Sequence, residues 1–359
     1  MKKILIVLFI FSTRAHCAGT SAAEFLVLDL GARSSAMGGA YTAVSDDSLA
    51  VNYNPAGLAW VSRKELSFSY ARWLEEITCQ QAAYVQTLGE KFTLAVQAGR
   101  VSSGDMEKID DDGNSLGSSY DYTALQAGGS LAVKLLDSFS LGASAKFVRE
   151  DLDGHDAGAA AFDAGLMLRF RYFNLGASAS NIGGELKLYQ ESFKLPSVYR
   201  AGAAVKPFEK LLVSADAVRN RDSDVVRPAF GAEYRWNGEG DIGAMFLRAG
   251  YQSKRDKNAG EGFSFGAGLE YKTNYELGYA YVPYGDFGGT HRLTFAFRFG
   301  SERGVREEET EPSAEPASAG AGKPSSQNRQ AEIEKAAADL KSGKITAGEF
   351  RKLLRDLSE

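Results

Sequence analysis

The sequence predicts an all-β transmembrane barrel of about fourteen antiparallel strands, with an N-terminal hatch inside its lumen and a small α-helical hairpin at the C-terminus. Three observations predict it. Residues 65–300 repeat a period-2 alternation of apolar and polar side chains. The connections between these runs alternate short and long, and aromatic residues gather at the run ends. The chain also opens on an export signal.

The start of the chain comes first. Lys2 and Lys3 form a basic n-region, Ile4 to Phe11 a short apolar core, and Ala15-His16-Cys17-Ala18 a cleavage zone, so residues 1–18 read as a signal peptide. Lipidation at Cys17 is the second reading, because Arg14-Ala15-His16 makes a poor lipobox. With Cys17 removed, Cys79 stands alone and no internal disulfide can form. Beyond the start, no run approaches the ~20 apolar residues of a spanning helix. The 39 Gly, 16 Tyr and 21 Phe beside 8 Pro suit closely packed strands with aromatic anchors. A net charge of -5 argues against nucleic acid as a partner.

The barrel is predicted over 65–300. Leu293, Phe295, Phe297 and Phe299 share one face of their run; Arg292, Thr294, Ala296 and Arg298 share the other. Phe263–Lys272 and Tyr275–Tyr281 alternate in the same way. A soluble sandwich would alternate too, but strands of about ten residues have the length a tilted strand needs to cross a bilayer. Strands are expected near 65–73, 79–88, 91–101, 120–134, 138–150, 158–170, 172–182, 196–206, 210–219, 225–236, 242–252, 261–272, 274–284 and 290–299. Tight turns alternate with polar loops at 102–119, 150–157, 183–195, 220–224, 253–260 and 285–289. Residues such as Tyr70, Trp73, Tyr122, Tyr172, Trp236, Tyr271 and Tyr284 read as headgroup girdles. The inward face carries small residues (Gly142, Ser144, Gly266, Gly268, Gly278, Ala280) and charges of both signs (Glu233, Arg235, Glu270, Lys272, Glu276, Arg292, Arg298). A lumen of this width needs a filling, and small wall residues leave room for one.

The filling is predicted in 19–64. Gly38-Gly39 forms a backbone turn, Ser45-Asp46-Asp47 caps a short helix through Leu49 and Ala50, and Asn54-Pro55 starts another turn. The stretch GARSSAMGGAYTAVSDD, followed by NYNPAGLAW, resembles the hatch of the FadL-like superfamily of outer-membrane barrels, most closely its PorV/PorQ-type branch. Gly31, Ala32, Arg33, Met37, Gly38, Gly39, Asp46, Asp47, Asn54, Pro55, Ala56, Gly57 and Leu58 carry the resemblance. It implies an outer-membrane, non-enzymatic protein that binds or passes hydrophobic molecules through a hatch-plugged barrel. The alternative it implies is a type IX secretion component that docks cargo or partner proteins. Asn54-Pro55-Ala56 is shared by both branches and does not choose between them. Modest external loops argue against a dedicated fatty-acid transporter.

Residues 301–329 form a Glu-, Pro-, Ala- and Ser-rich linker. A helical hairpin follows at 330–359. Ile333, Ala337 and Leu340 share one face of its first helix, and Phe350, Leu353, Leu354 and Leu357 one face of its second, which a Thr346–Glu349 capping box opens. The pattern DLKSGKITAGEFRKLL is similar to SHOCT-type modules. At about thirty residues it is too small to be stable alone, which makes that apolar face a protein-partner surface.

No enzyme site emerges. His16, His155 and His291 are scattered, and no phosphate loop or zinc spacing is present. Asp110-Asp111-Asp112-Gly113-Asn114 has its glycine two positions early for a calcium loop and reads as a solvated acidic loop. The expected partners are outer-membrane lipid, a hydrophobic ligand and a protein docked on the hairpin, with no cofactor. An even strand count puts both termini in the periplasm.

Overall fold

The computed structural model describes residues 21–303, apart from 75–76, 189–190, 222, 224 and 254–261. The signal segment, most of the linker, and the hairpin with its face of Ile333, Leu340, Phe350, Leu353, Leu354 and Leu357 lie outside the described residues.

The barrel begins with β1 (Lys64–Arg72), β2 (Thr78–Leu88), β3 (Phe92–Ile109), β4 (Ser115–Leu136), β5 (Phe139–Leu152), β6 (His155–Arg169) and β7 (Phe173–Gly183). A short hairpin follows, β8 (Glu185–Leu188) with β9 (Glu191–Lys194). The barrel resumes with β10 (Val198–Phe208), β11 (Leu211–Asn220), β12 (Val226–Asn237), β13 (Ile242–Gln252), β14 (Phe263–Tyr271), β15 (Tyr275–Pro283) and β16 (Gly289–Phe299). Each barrel strand pairs antiparallel with its neighbours, β7 meets β10 directly, and β1 closes on β16. The expected fourteen barrel strands are therefore present, and closure leaves no edge whose backbone groups would face lipid unpaired. Among the described residues no helix is long and apolar enough to cross a membrane; strands do the crossing.

Side-chain alternation orients each strand. Phe68, Leu94, Phe147, Phe230, Leu247, Leu277 and Phe295 are exposed on the outer surface. Their strand neighbours Ser67, Ala95, Lys146, Ala229, Arg248 and Ala296 are buried against the contents of the lumen.

Five expectations need correction. The predicted loop 150–157 is a tight turn, because β5 and β6 stay paired out to Leu152 and His155. The predicted loop 102–119 is mostly strand: β3 and β4 run on as a hairpin with bulges near Ser102–Asp105 and Glu107–Ile109. Most of its side chains are solvated, so no apolar period marks it. Loop 183–195 likewise contains the β8–β9 hairpin, whose Leu186 packs under the start of the hatch. Lys272 does not face the lumen; it sits in the turn after β14 at φ 51°, with Nζ 3.6 Å from Asp241. Trp73, Tyr122 and Tyr284 are not girdle residues. Trp73 stacks edge-on with Tyr284 at 5.0 Å, and the Tyr122 hydroxyl donates to Glu150 at 2.5 Å. All three occupy inward parity positions: Trp73 continues buried Ser67, Ser69 and Ala71, and Tyr122 precedes buried Ala124.

Candidate functional site

Residues 21–62 fold inside the barrel as short helical pieces joined by turns. A 3-10 turn spans Glu24–Val27, α1 spans Ala32–Ala36, α2 spans Ala50–Tyr53, and a second 3-10 stretch spans Pro55–Trp60. None is long enough to be stable alone; the wall holds them. Ala32, Met37, Tyr41, Ala43, Ala50, Ala56 and Leu58 are almost wholly buried.

Gly31 supplies the N-cap of α1, whose Ala32 N–H donates to Thr294 of β16 at 3.0 Å. Gly38 and Gly39 take φ of 65° and 75°, which only glycine adopts without strain, and turn the chain against β13. Asn54 is the hub of the next turn. Its Oδ1 accepts from the Ala56 N–H at 3.1 Å, and its Nδ2 donates to Thr42 O and to Leu166 O of the wall, both at 3.0 Å. Pro55 fits the first position of the 3-10 stretch because it needs no N–H there.

The wall is carved to receive this backbone. A methyl at Gly165 of β6 would overlap Asn54 Oδ1, and one at Gly142 of β5 would overlap the Pro55–Ala56 peptide. At Gly176 it would lie 2.5 Å from Thr42 O, and at Gly231 2.7 Å from Met37 O. These glycines pair across strands: Gly142 with Gly165, Gly176 with Gly202, and Gly231 with Gly250. They form a groove around much of the inner wall, on which the hatch backbone lies. Within the hatch, Gly57 presses on the Ser45 carbonyl in the same way.

The other side of the hatch is held by charge. Arg33, projecting from α1, clasps Glu233 of β12 with Nε and Nη2 at 2.8 and 2.9 Å. Its Nη1 donates to Asp46, Asp47 and Tyr41 at 2.8, 3.2 and 3.1 Å. The ladder continues along the wall. Glu233 pairs with Arg248 at 2.7 Å, Arg248 with Glu276 at 3.0 Å, Glu276 with Arg298 at 2.5 Å and Arg298 with Glu65 at 2.9 Å. Glu65 then accepts the Ser48 N–H of the hatch at 2.8 Å, and Arg169 reaches Asp46 at 3.2 Å. The two aspartates differ. Burial disfavours both charges, yet Arg33 and Arg169 hold Asp46 well below the usual carboxylate range. Asp47 is pushed up to about 6, because burial, Glu65 and Asp46 outweigh its one guanidinium. Burial also raises the Tyr41 hydroxyl, which donates to Asp47 at 2.5 Å. The expected cap by Ser45-Asp46-Asp47 is therefore only partly made. Asp47 Oδ1 accepts from Leu49 N–H at 3.0 Å, while Asp46 is drawn to the arginines and α2 starts later, at Ala50.

The hatch separates two cavities. One, about 330 Å³, opens at the long-loop end and is lined by Leu28, Tyr53, Trp73, Tyr284, Arg200 and Arg292, with Gly38 and Gly39 at its floor. The other, about 470 Å³, lies at the short-turn end and is charged, with Arg63, Arg169, Lys206, Lys210 and Arg235 facing Asp46, Glu209 and Glu270. Around the Arg33–Arg248 ladder itself only about 20 Å³ is left free. Asp110–Asn114 is a turn closed on the Asp110 carboxylate, which accepts from the N–H of Asp112 and Asn114. No group of residues that could hold a metal occurs among the described residues.

The family model described as "Type IX secretion system protein PorV" matches residues 11–206, more than half of the chain. The chain belongs to the PorV family. No curated protein sequence matches this PorV-family barrel. Its fold is similar to that of the P. putida toluene transporter TodX, at a TM-score of 0.57 and 14% identity, covering 76% of this chain and 99% of that one. A Pseudomonas aeruginosa FadL homologue aligns at a TM-score of 0.54 and 13% identity, over 76% and 99% of the two chains. The Ralstonia pickettii toluene transporter TbuX gives 0.52 and 16%, over 75% and 98%. The PorV-family barrel is thus an outer-membrane protein of FadL-like fold.

All thirteen hatch residues singled out in the sequence fall inside the lumen. The wall partners Glu65, Arg248 and Asp216 were not singled out; Asp216 accepts the N–H groups of Tyr41 and Thr42 at 3.1 and 2.9 Å. Their signal was a charge at an inward parity position of an otherwise ordinary strand.

Proposed function

We propose that this barrel takes hydrophobic or amphipathic molecules into the cavity at its long-loop end, without catalysis, and that the Gly31–Leu58 hatch is the element that admits or stops them. In this reading the long-loop end faces the cell exterior, and the short-turn end and both termini face the periplasm. The cavity carries the reading. Tyr53, Trp73 and Tyr284 give it flat apolar walls, and its floor is the hatch turn itself. Structural neighbours described as toluene transporters support the same chemistry. Titrating the purified full chain with a monoaromatic hydrocarbon tests it. A saturable change in tryptophan fluorescence that disappears in Trp73→Phe is expected; no saturable change sinks the reading.

A second reading has its own support, the match to the type IX secretion family. Here the filled barrel is a docking body for cargo or a partner, and the hairpin face of Ile333, Leu340, Phe350, Leu353, Leu354 and Leu357 adds a contact surface. Cross-linking in outer membranes distinguishes the two. Loss of a defined adduct on removing 330–359 favours docking, while an unchanged adduct pattern excludes the hairpin.

A further inference from the structure

The lipid-facing surface has a hollow on β2, β3 and β4. On these neighbouring strands Ala82, Ala98 and Ala127 stand side by side in register, where the flanking β16, β1 and β5 present phenylalanines. Phe68 and Phe295 wall one side and Phe147 the other, around a volume of about 950 Å³. That is the scale of a small-molecule site rather than of a packing defect.

The next cross-strand row towards the long-loop end is Tyr70, Gln80, Arg100, Leu125 and Arg149. Two guanidiniums in that row face outward. Arg149 pairs with Asp156 at 3.3 Å, with both side chains about half exposed. Arg100 is exposed and has no ion pair or hydrogen bond among the described residues. It lies eight residues from Phe92 along β3, about 26 Å of strand at ~3.3 Å per residue and about 20 Å of height at a tilt of ~40°. The apolar band of such barrels is ~25 Å tall, so Arg100 sits at the band's upper edge. One row further out, Arg72, Thr78, Ser102 and Asp151 are polar. A cation at this height is tolerated, and a headgroup anion beside it makes the position favourable.

From this geometry we propose that the hollow is a binding site for an anionic membrane lipid. Its phosphate pairs with Arg100 and Arg149, and its acyl chain lies across the alanine floor. Charge and shape point to the same occupant: a headgroup anion at the edge of the band and a hydrocarbon segment directly beneath it. Arginine is well suited to the first part because its fork matches two phosphate oxygens. The site is outside the barrel and does not depend on the hatch.

The test uses the full chain in mild detergent, given phosphatidylglycerol or phosphatidylcholine of equal chain length, with bound lipid read by native mass spectrometry. The wild type is expected to retain phosphatidylglycerol about tenfold over phosphatidylcholine, consistent with charge-assisted bonds. Arg100→Gln with Arg149→Gln should bring the two to parity, and Ala98→Phe should lower both by filling the floor. Heat-modifiable gel migration verifies that each variant is folded, and Arg100→Gln alone serves where the pair is not. Equal retention of both lipids by the wild type, an undiminished preference in the folded arginine variant, or displacement by inorganic phosphate alone would overturn the proposal. So would finding the hollow occupied by a protein.

Discussion

The two flanks of the hatch are held in different ways. On the β5–β7 flank the backbone around Asn54-Pro55 lies on wall glycines, and contact is made by shape and neutral hydrogen bonds. On the β12–β16 flank Arg33 is the hatch end of a ladder of buried ion pairs. Shape of the first kind cannot be switched without moving the backbone. Charge of the second kind is vulnerable to loss of one partner, because each remaining ion is then left buried and uncompensated. The glycine flank is thus held by backbone fit, and the charged flank by pairs that a single substitution can break.

Arg33→Met should have the largest effect. Removing it leaves Asp47 without a cation and Glu233 and Asp46 with one each, Arg248 and Arg169, at a cost of ~3–5 kcal/mol. The hatch should become accessible to protease while the barrel keeps its heat-modifiable migration. Adding Glu233→Leu should recover part of the loss; no recovery would mean that charge is not what holds this flank.

Gly165→Val addresses the opposite flank. Overlap with Asn54 should cost ~1–3 kcal/mol and raise protease cleavage near 54–58, with no change in salt sensitivity. Asn54→Ala removes three hydrogen bonds and leaves wall and hatch carbonyls short of donors. A loss of ~1–3 kcal/mol is expected in the same assay. If Gly165→Val is silent, the glycine groove is not an anchor.

The smallest effect is on pH. Asp47 has its folded pKa raised to about 6, from an ordinary value of 3.8. Between those values the folded state binds more protons than the unfolded one, so this group's contribution falls as pH rises through about 6. Hatch protection should therefore decline from pH 4 to 6.5 by less than ~1.4 kcal/mol per pH unit, and Asp47→Asn should flatten the slope. A slope of the opposite sign would show that the Arg33 pair governs Asp47.

Much of this was legible in the sequence, unevenly. Alternation gave the strands, because each has one face to lipid and one to a filled lumen. The β3–β4 extension was not legible, because a hairpin with mostly solvated side chains has no apolar period. Trp73, Tyr122 and Tyr284 were misread for a subtler reason. Aromatic character suggested a girdle, but parity already placed them inward, and parity decides which side of the wall a ring is on. In the hatch, Gly31 to Leu58 stood out as a motif, while its seat did not. The glycines of that seat come from six different strands, brought together only by register.

The central claim is that residues 21–62 close this barrel. The most direct measurement is ion conductance in planar bilayers, comparing the full chain with a variant lacking Gly31–Leu58. Closure predicts no steady current through the wild type and a large, stable pore in the deletion variant. Steady porin-like current through the wild type, or a folded deletion variant that stays silent, would contradict it.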